Sequence, residues 1–305
     1  MNRLPWSGMR SPANNRLKMC KSPGGLVNAM HGIKGIQITW IGWPGICVSH
    51  NEESQLSEPL KQLGCVPVHL TAKDVQQAYD GFGNNILWPV LHYVQPKIEV
   101  IQACEGQVKP PSLNKIIQFT AYEAVNKKYA EVVLATFRPG DLIWVHDYHL
   151  FLLPQLIRAR IPTAKIGFFL HTPFPSSQVF RTIPWRADVL NGVLASDLIG
   201  FHTHDHGVHF KSCCQRVLGL NGTTETSKAV SARYQHSQSV CFDVSHSCNR
   251  YRFEFFLGDI ILSGKLRQKF GTKKVLLGID KMDFTKGIPN KLLAFERFLD
   301  NNDQW

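Results

Sequence analysis

The chain has 305 residues, 44% of them apolar, which is enough for one large domain or two ordinary ones with a sizeable core. No run of eighteen apolar residues occurs, so no membrane span is indicated, and the basic N-terminal segment lacks the apolar stretch of a secretory signal. Thirty-four Lys and Arg against 23 Asp and Glu give a formal charge of +11, which suits phosphorylated substrates, nucleic acid or an acidic surface alike. Without zinc-finger spacing, an RNA-binding signature or a basic helix, a nucleic-acid role rests on charge alone.

In chain order, the first 22 residues read as turn and loop, with Arg3 of Asn-Arg-Leu-Pro a cation in that loop. Ser22-Pro23-Gly24-Gly25 precedes an apolar helical start, Leu26–Met30. A glycine pair there lets main-chain amides approach a phosphate, helped by the helix dipole, although most such pairs are only turns. Ile38–Trp43 and Cys65–Leu70 are predicted strands. The stretch 79–93 places Tyr79, Trp88, His92 and Tyr93 around an expected Asn-Asn turn; aromatic faces stack on sugar rings, but this density equally suits a core. Ile116–Thr136 is a predicted helix, with Phe119, Tyr122, Val125, Tyr129 and Val132 at helical spacing.

Leu142–His146 is a predicted buried strand running into His146, Asp147, Tyr148 and His149. Asp147 could present a carboxylate to a ligand hydroxyl or cap the next helix. Lys165–His171 repeats the plan, a strand ending at His171 before two prolines that stiffen the turn. The two strand ends lie 24 residues apart, one strand–helix–strand step, so Asp147 and His171 are expected to face one crevice. Leu198–His202 is a further strand, opening the His-rich run 201–210, which lacks a recognised metal-ligand spacing. Asn221–Gly258 shows no clear period. Lys274–Ile279 is the last predicted strand, followed by a loop with Lys281, Asp283, Lys286 and Gly287 and a helix over Ile288–Leu299. Two lysines on one short loop suit a diphosphate, although solvation is the ordinary fate of such residues. The eight cysteines form no CxxC pair, which reads as reduced thiols in the cytosol. Strand–helix alternation of this kind implies an α/β fold with a mainly parallel sheet, whose ligands bind beyond the strands' carboxyl ends.

Taken together, NRLP, SPGGLV, WIGWPG, NNILWPVLHY, HDYHL, FFLHTPFPSS, LIGFHT and DFTKGIPNKLLAFE stand in the order and spacing of the trehalose-6-phosphate synthases, which the chain resembles over about Asn2–Leu220 and Leu266–Trp305. The resemblance implies a GT-B glycosyltransferase, whose two Rossmann-like domains face each other, here with residues 1–265 as the acceptor-binding domain and 266–305 as the opening of a donor-binding domain. It implies transfer of glucose from UDP-glucose to glucose 6-phosphate with retention, in the cytoplasm, with no metal or other cofactor and no nucleic-acid or membrane partner. By motif, Arg3 and Tyr79 would bind the acceptor phosphate, Trp43 and Trp88 would line its sugar, and Asp147 would take its hydroxyls. Gly24, Gly25, Lys281 and Lys286 would hold the donor diphosphate and His171 the donor glucose, so that Asp147 and His171 form the catalytic pair.

Four departures from that family set further expectations. Only Met1 precedes Asn-Arg where the family has an apolar mid-sheet strand, so two neighbouring strands would lack a partner. Residues 221–258 diverge, the second domain is nearly absent, and Lys281 replaces an arginine, losing the bidentate fork. The expectation is therefore a chain truncated at both ends with negligible turnover alone. The alternative is a sugar-phosphate-binding or regulatory fragment that associates with full-length synthase subunits.

Overall fold

The computed structural model describes residues 1–11, 16–22, 27, 30, 35–94, 112–220, 229–234, 237–243, 268–271, 280 and 286–302. They fall in two compact units, Met1–Ser245 and His246–Trp305. Among the described residues no helix is long and apolar enough to cross a membrane.

The first unit opens with an antiparallel pair, β1 (Trp6–Arg10) and β2 (Leu17–Lys21), in register from Trp6↔Lys21 to Arg10↔Leu17. This corrects the expected N-terminal loop. Ser-Gly inside β1 and two lysines in β2 hide the alternation that marks a strand. β3 (Trp40–Gly42) and β4 (Cys65–Pro67) pair in parallel across helix α1 (His50–Gln62), whose capping box joins Ser49 and Glu52. The main sheet has the order β5-β6-β7-β9-β8. Its strands β5 (Leu142–His146), β6 (Lys165–Leu170), β7 (Leu198–Phe201) and β9 (Ser237–Asp243) run parallel, and β8 (Ala229–Tyr234) lies antiparallel at one edge. The β8–β9 hairpin places regular structure within the stretch where the sequence shows no period. The predicted strand Lys274–Ile279 lies outside the described residues.

No strand among the described residues joins β3 to β5. Between them is a cavity of about 430 Å³, lined from one side by Thr39, Trp40 and Ile41 and from the other by Ile143, Trp144 and Val145. Met1–Leu4 enters the gap at its carboxyl end: the Met1 ammonium donates to the Ile41 carbonyl at 3.0 Å, and Leu4 N–H to the Trp43 carbonyl at 2.9 Å.

One helical run follows β4. It comprises Ala72–Asp74, the wider π-helical Val75–Leu87 and Trp88–Leu91, together called α2. The expected Asn-Asn turn is therefore helix. Asn84 Oδ1 accepts from the Tyr148 hydroxyl at 2.9 Å, which removes its pull toward a turn. Gly83 lets the run press on His149, since a Cβ there would lie 3.1 Å from that ring. Helix α3 (Leu113–Thr136) buries Phe119, Tyr122, Val125, Asn126, Tyr129, Ala130 and Val133 in the main core. It is followed by α4 (Leu153–Arg160), α5 (Ser177–Phe180), α6 (Arg186–Leu194) and α7 (His204–Leu218). The second unit contributes α8 (Ile288–Asp300), in which Lys291 pairs with Asp280 at 2.6 Å.

Among the described glycines, the closest backbone approach is at Gly192 of α6. A Cβ there would stand 2.3 Å from the Phe151 carbonyl oxygen and 2.9 Å from the Leu152 Cα, neither of which can step aside. Gly192→Ala is expected to destabilise the unit by about 2 kcal/mol, read from the urea midpoint. A midpoint equal to the parent's would contradict this packing.

Candidate active site at the strand rim

The carboxyl ends of β3, β5 and β6 converge with α2, and most of the candidate residues meet there. Arg3 leaves the N-terminal segment over the Trp43 ring, 5.0 Å from its centre. Beside it, Gly45 has φ +78°, and a Cβ there would lie 2.9 Å from the Arg3 guanidinium. Trp43 is buried, 5.8 Å from the Tyr79 ring, and Tyr79 stacks on His149 at 4.8 Å with the planes 12° apart. His149 touches Tyr148 at 4.0 Å, and Tyr148 touches Trp88 at 5.7 Å. Arg3, Trp43, Tyr79 and Trp88 are thus joined through His149 and Tyr148 by one continuous series of rings. An exposed guanidinium stands at one end. Successive rings are tilted by 57°, 12°, 32° and 48°, so the row is stepped rather than flat. Aromatic faces beside a cation can pack on a sugar and pair an anion.

Asp147 sits where β5 turns. Its φ of 71° with ψ of 168° is a backbone conformation that favours glycine. No side-chain capping hydrogen bond of the usual kind forms at the following turn, and the carboxylate accepts from the His171 main-chain N–H at 3.3 Å. Asp147 and His171 are therefore in direct contact at adjacent strand ends. Burial raises the Asp147 carboxyl to about 6, against the pull of the Tyr148 and His171 amides. His171 in turn faces His146, with His146 Nδ1 3.1 Å from His171 Nε2. Burial lowers His146 to about 3, aided by the Met1 ammonium and His171, and lowers His171 to about 4, aided by His202.

These shifts give stability a defined pH slope. Both histidines are neutral in the fold but take protons below 6.5 when unfolded, so each loses stability as pH falls. His69, also lowered by burial, acts in the same direction. Asp147 opposes them, because the fold protonates it near 6 and the unfolded chain only near 3.8. The Met1 amine, lowered by burial from 8.0 to about 5, adds to the loss in the same window. The net loss is expected to be about 2 kcal/mol on going from pH 6 to pH 5. Urea midpoints at those two values check it, and an unchanged or rising midpoint would contradict the neutral histidine pair.

The sequence reading missed the support beneath the site. Three residues of α3, Tyr122, Asn126 and Tyr129, turn polar atoms toward the rim loops at helical spacing. The Tyr122 hydroxyl donates to the Tyr148 carbonyl at 2.6 Å and accepts from Phe151 N–H at 3.0 Å. Asn126 Nδ2 donates to the His149 carbonyl at 3.2 Å. The Tyr129 hydroxyl donates to the Asn2 carbonyl at 2.5 Å and accepts from Trp43 N–H at 3.0 Å. The available signal was tyrosine, rather than phenylalanine, at two buried positions one heptad apart.

Gly24, Gly25 and Lys281 lie outside the described residues. Lys286, in the second unit, is exposed and stands just before Gly287, which caps α8 with φ 61°. The described cysteines are free thiols, and burial pushes Cys65 up to about 11 and Cys213 up to about 12. Among the described residues no group of three His, Cys, Asp or Glu side chains is placed to hold a metal ion.

The profile of Glycosyltransferase family 20 matches residues 1–305. Alpha,alpha-trehalose-phosphate synthase [UDP-forming] 1 of Arabidopsis thaliana is 40% identical over 100% of this chain and 31% of its own length. Among solved structures, the N-terminal domain of Candida albicans trehalose-6-phosphate phosphatase is 33% identical, with a TM-score of 0.68 over 87% of this chain and 54% of that one. A UDP-forming synthase of Burkholderia xenovorans, solved in complex with glucose-6-phosphate, is 25% identical, with a TM-score of 0.66 over 92% of this chain and 59% of that one. The chain thus spans 31% of the Arabidopsis protein and 54% and 59% of the two solved chains.

Proposed function

The chain belongs to glycosyltransferase family 20, with an α/β fold like that of the GT-B enzymes, and from that premise we propose that it serves UDP-forming synthesis of trehalose 6-phosphate. In this reading the Met1–Ser245 unit binds glucose 6-phosphate, and the reaction takes place in the cytoplasm. The observation that carries it is the series of rings from Arg3 to Trp88 with Asp147 at its base. Arg3 and Tyr79 would hold the acceptor phosphate, Trp43 and Trp88 its ring, and Asp147 its hydroxyls. His171 would contact the glucose of UDP-glucose.

The chemistry follows from where charge develops. Breaking the bond between glucose and UDP builds positive charge on the sugar and negative charge on the diphosphate. Fixed cations and main-chain amides aimed at that diphosphate stabilise the transition state more than the ground state. Attack from the same face, with the leaving phosphate taking the acceptor's proton, retains configuration without the carboxylate pair of retaining glycosidases.

A second reading has support of its own. The related fold in the Candida protein belongs to a chain named as a phosphatase. In that reading this chain binds sugar phosphate without turnover and associates with full-length synthase subunits. A UDP-release assay with both substrates separates the two: steady UDP formation carries the synthase reading, and glucose 6-phosphate binding without UDP carries the binding one. Arg3→Ala is expected to weaken glucose 6-phosphate binding about ten-fold and leave glucose binding unchanged. Equal weakening of both ligands would remove Arg3 from the phosphate.

A further inference from the structure

His146 has no part in the proposed sugar transfer. It is the last residue of β5, 5% exposed, and its Nδ1 lies 3.1 Å from Nε2 of His171, the first residue beyond β6. The neighbouring strands fix that approach, since β5 and β6 run parallel with His146 opposite Phe169. Phe169 at 4.7 Å and His202 at 5.5 Å flank the His171 ring on its other sides. Two neutral imidazoles at hydrogen-bond distance share one proton: one ring donates and the other accepts. The two tautomers are therefore complementary. That contact engages Nε2 of His171 and leaves Nδ1 as its other ring nitrogen.

We propose that His146 is a positioning residue, which through the contact of its Nδ1 with Nε2 of His171 holds that ring in one orientation and one tautomer. His146 thereby fixes whether the remaining Nδ1 of His171 offers a proton or a lone pair to a sugar oxygen. A ring held by one nitrogen presents the other without an orientational search, the role that outer partners play for functional histidines. The consequence for UDP-glucose rests on the reading of His171 as the donor-sugar contact; the tautomer itself does not.

The test uses the full chain labelled with ¹⁵N-histidine, with the ring nitrogens of His171 read by long-range ¹⁵N–¹H correlation at pH 7. The parent is expected to show one tautomer, with one protonated and one bare nitrogen. His146→Phe, which keeps a ring but removes the partner, is expected to average the two. His146→Asn, whose amide nitrogen falls near the position of imidazole Nδ1, is expected to restore a single form. Averaging in the parent, or a single unchanged tautomer in folded His146→Phe, overturns the proposal. If that variant does not fold, averaging in folded His146→Asn overturns it as well. In a parallel titration, UDP-glucose is expected to shift the His171 signals and to bind about ten-fold more weakly to His146→Phe, the worth of one neutral hydrogen bond. If the tautomer results hold while UDP-glucose leaves His171 unmoved, the donor-contact reading fails and the positioning role stands.

Discussion

Tyr122→Phe is expected to cost about 3 kcal/mol of stability and to loosen the turn that carries Asp147. The Tyr122 hydroxyl is the acceptor for Phe151 N–H and a donor to the Tyr148 carbonyl, inside a core where Phe151 is 1% exposed. Burial pushes the phenol well above its ordinary pKa, so it keeps its proton and stays a donor. Removing one oxygen leaves the Phe151 amide buried without that partner, and an orphaned buried donor costs far more than a hydrogen bond exchanged with water. Tyr129→Phe supplies the control. Trp43 N–H and the Asn2 carbonyl bond each other at 3.0 Å as well as the Tyr129 hydroxyl, so the lost oxygen leaves neither alone. Its cost is expected to be about 1 kcal/mol. Equal losses for the two variants, measured by urea unfolding, would contradict this difference in local bonding.

The second large effect is at Asp147, where the requirements of backbone and ligand diverge. Its conformation, φ 71° and ψ 168°, is one that glycine adopts freely and that costs other residues about 1–3 kcal/mol. Asp147→Gly is therefore expected to be more stable than Asp147→Ala by about 1–2 kcal/mol. Both are expected to weaken glucose 6-phosphate binding about 100-fold, since buried hydrogen bonds from sugar hydroxyls to a carboxylate are lost. A variant that is firmer yet cannot bind marks a residue kept for its ligand rather than its fold. Burial raises this carboxyl to about 6, so binding through its ionised form is also expected to fade as pH falls through 6. Alanine as stable as glycine would remove the strain, and unchanged affinity in both would remove the ligand.

Much of this site was legible in the sequence because the strands that carry it are plain. Leu142–His146 matches its predicted bounds, and Lys165–Leu170 and Leu198–Phe201 each fall one residue short of theirs, because apolar and β-branched runs leave little else for the chain to do. The one-step spacing of Asp147 and His171 translated into a direct contact, since adjacent parallel strands end side by side. What stayed hidden is relational. The π-helical stretch over Val75–Leu87 depends on Asn84 finding Tyr148, and no local propensity encodes that meeting. The hairpin of β1 and β2 draws on tertiary support, with Arg10 paired to Glu52 of α1 at 3.0 Å. The polar face of α3 reads as core because its hydroxyls sit on buried aromatic rings.

In the proposed function, the rim formed by Arg3, Trp43, Tyr79, Trp88 and Asp147 is a glucose 6-phosphate site. Calorimetric titration of the 305-residue chain with glucose 6-phosphate at pH 7.5, beside glucose and inorganic phosphate, tests it most directly. The expected result is one site for glucose 6-phosphate, at least about ten-fold tighter than for either half alone, since a cation and a stacking wall act on one ligand together. No heat with glucose 6-phosphate, or affinity equal to that of phosphate alone, would contradict it.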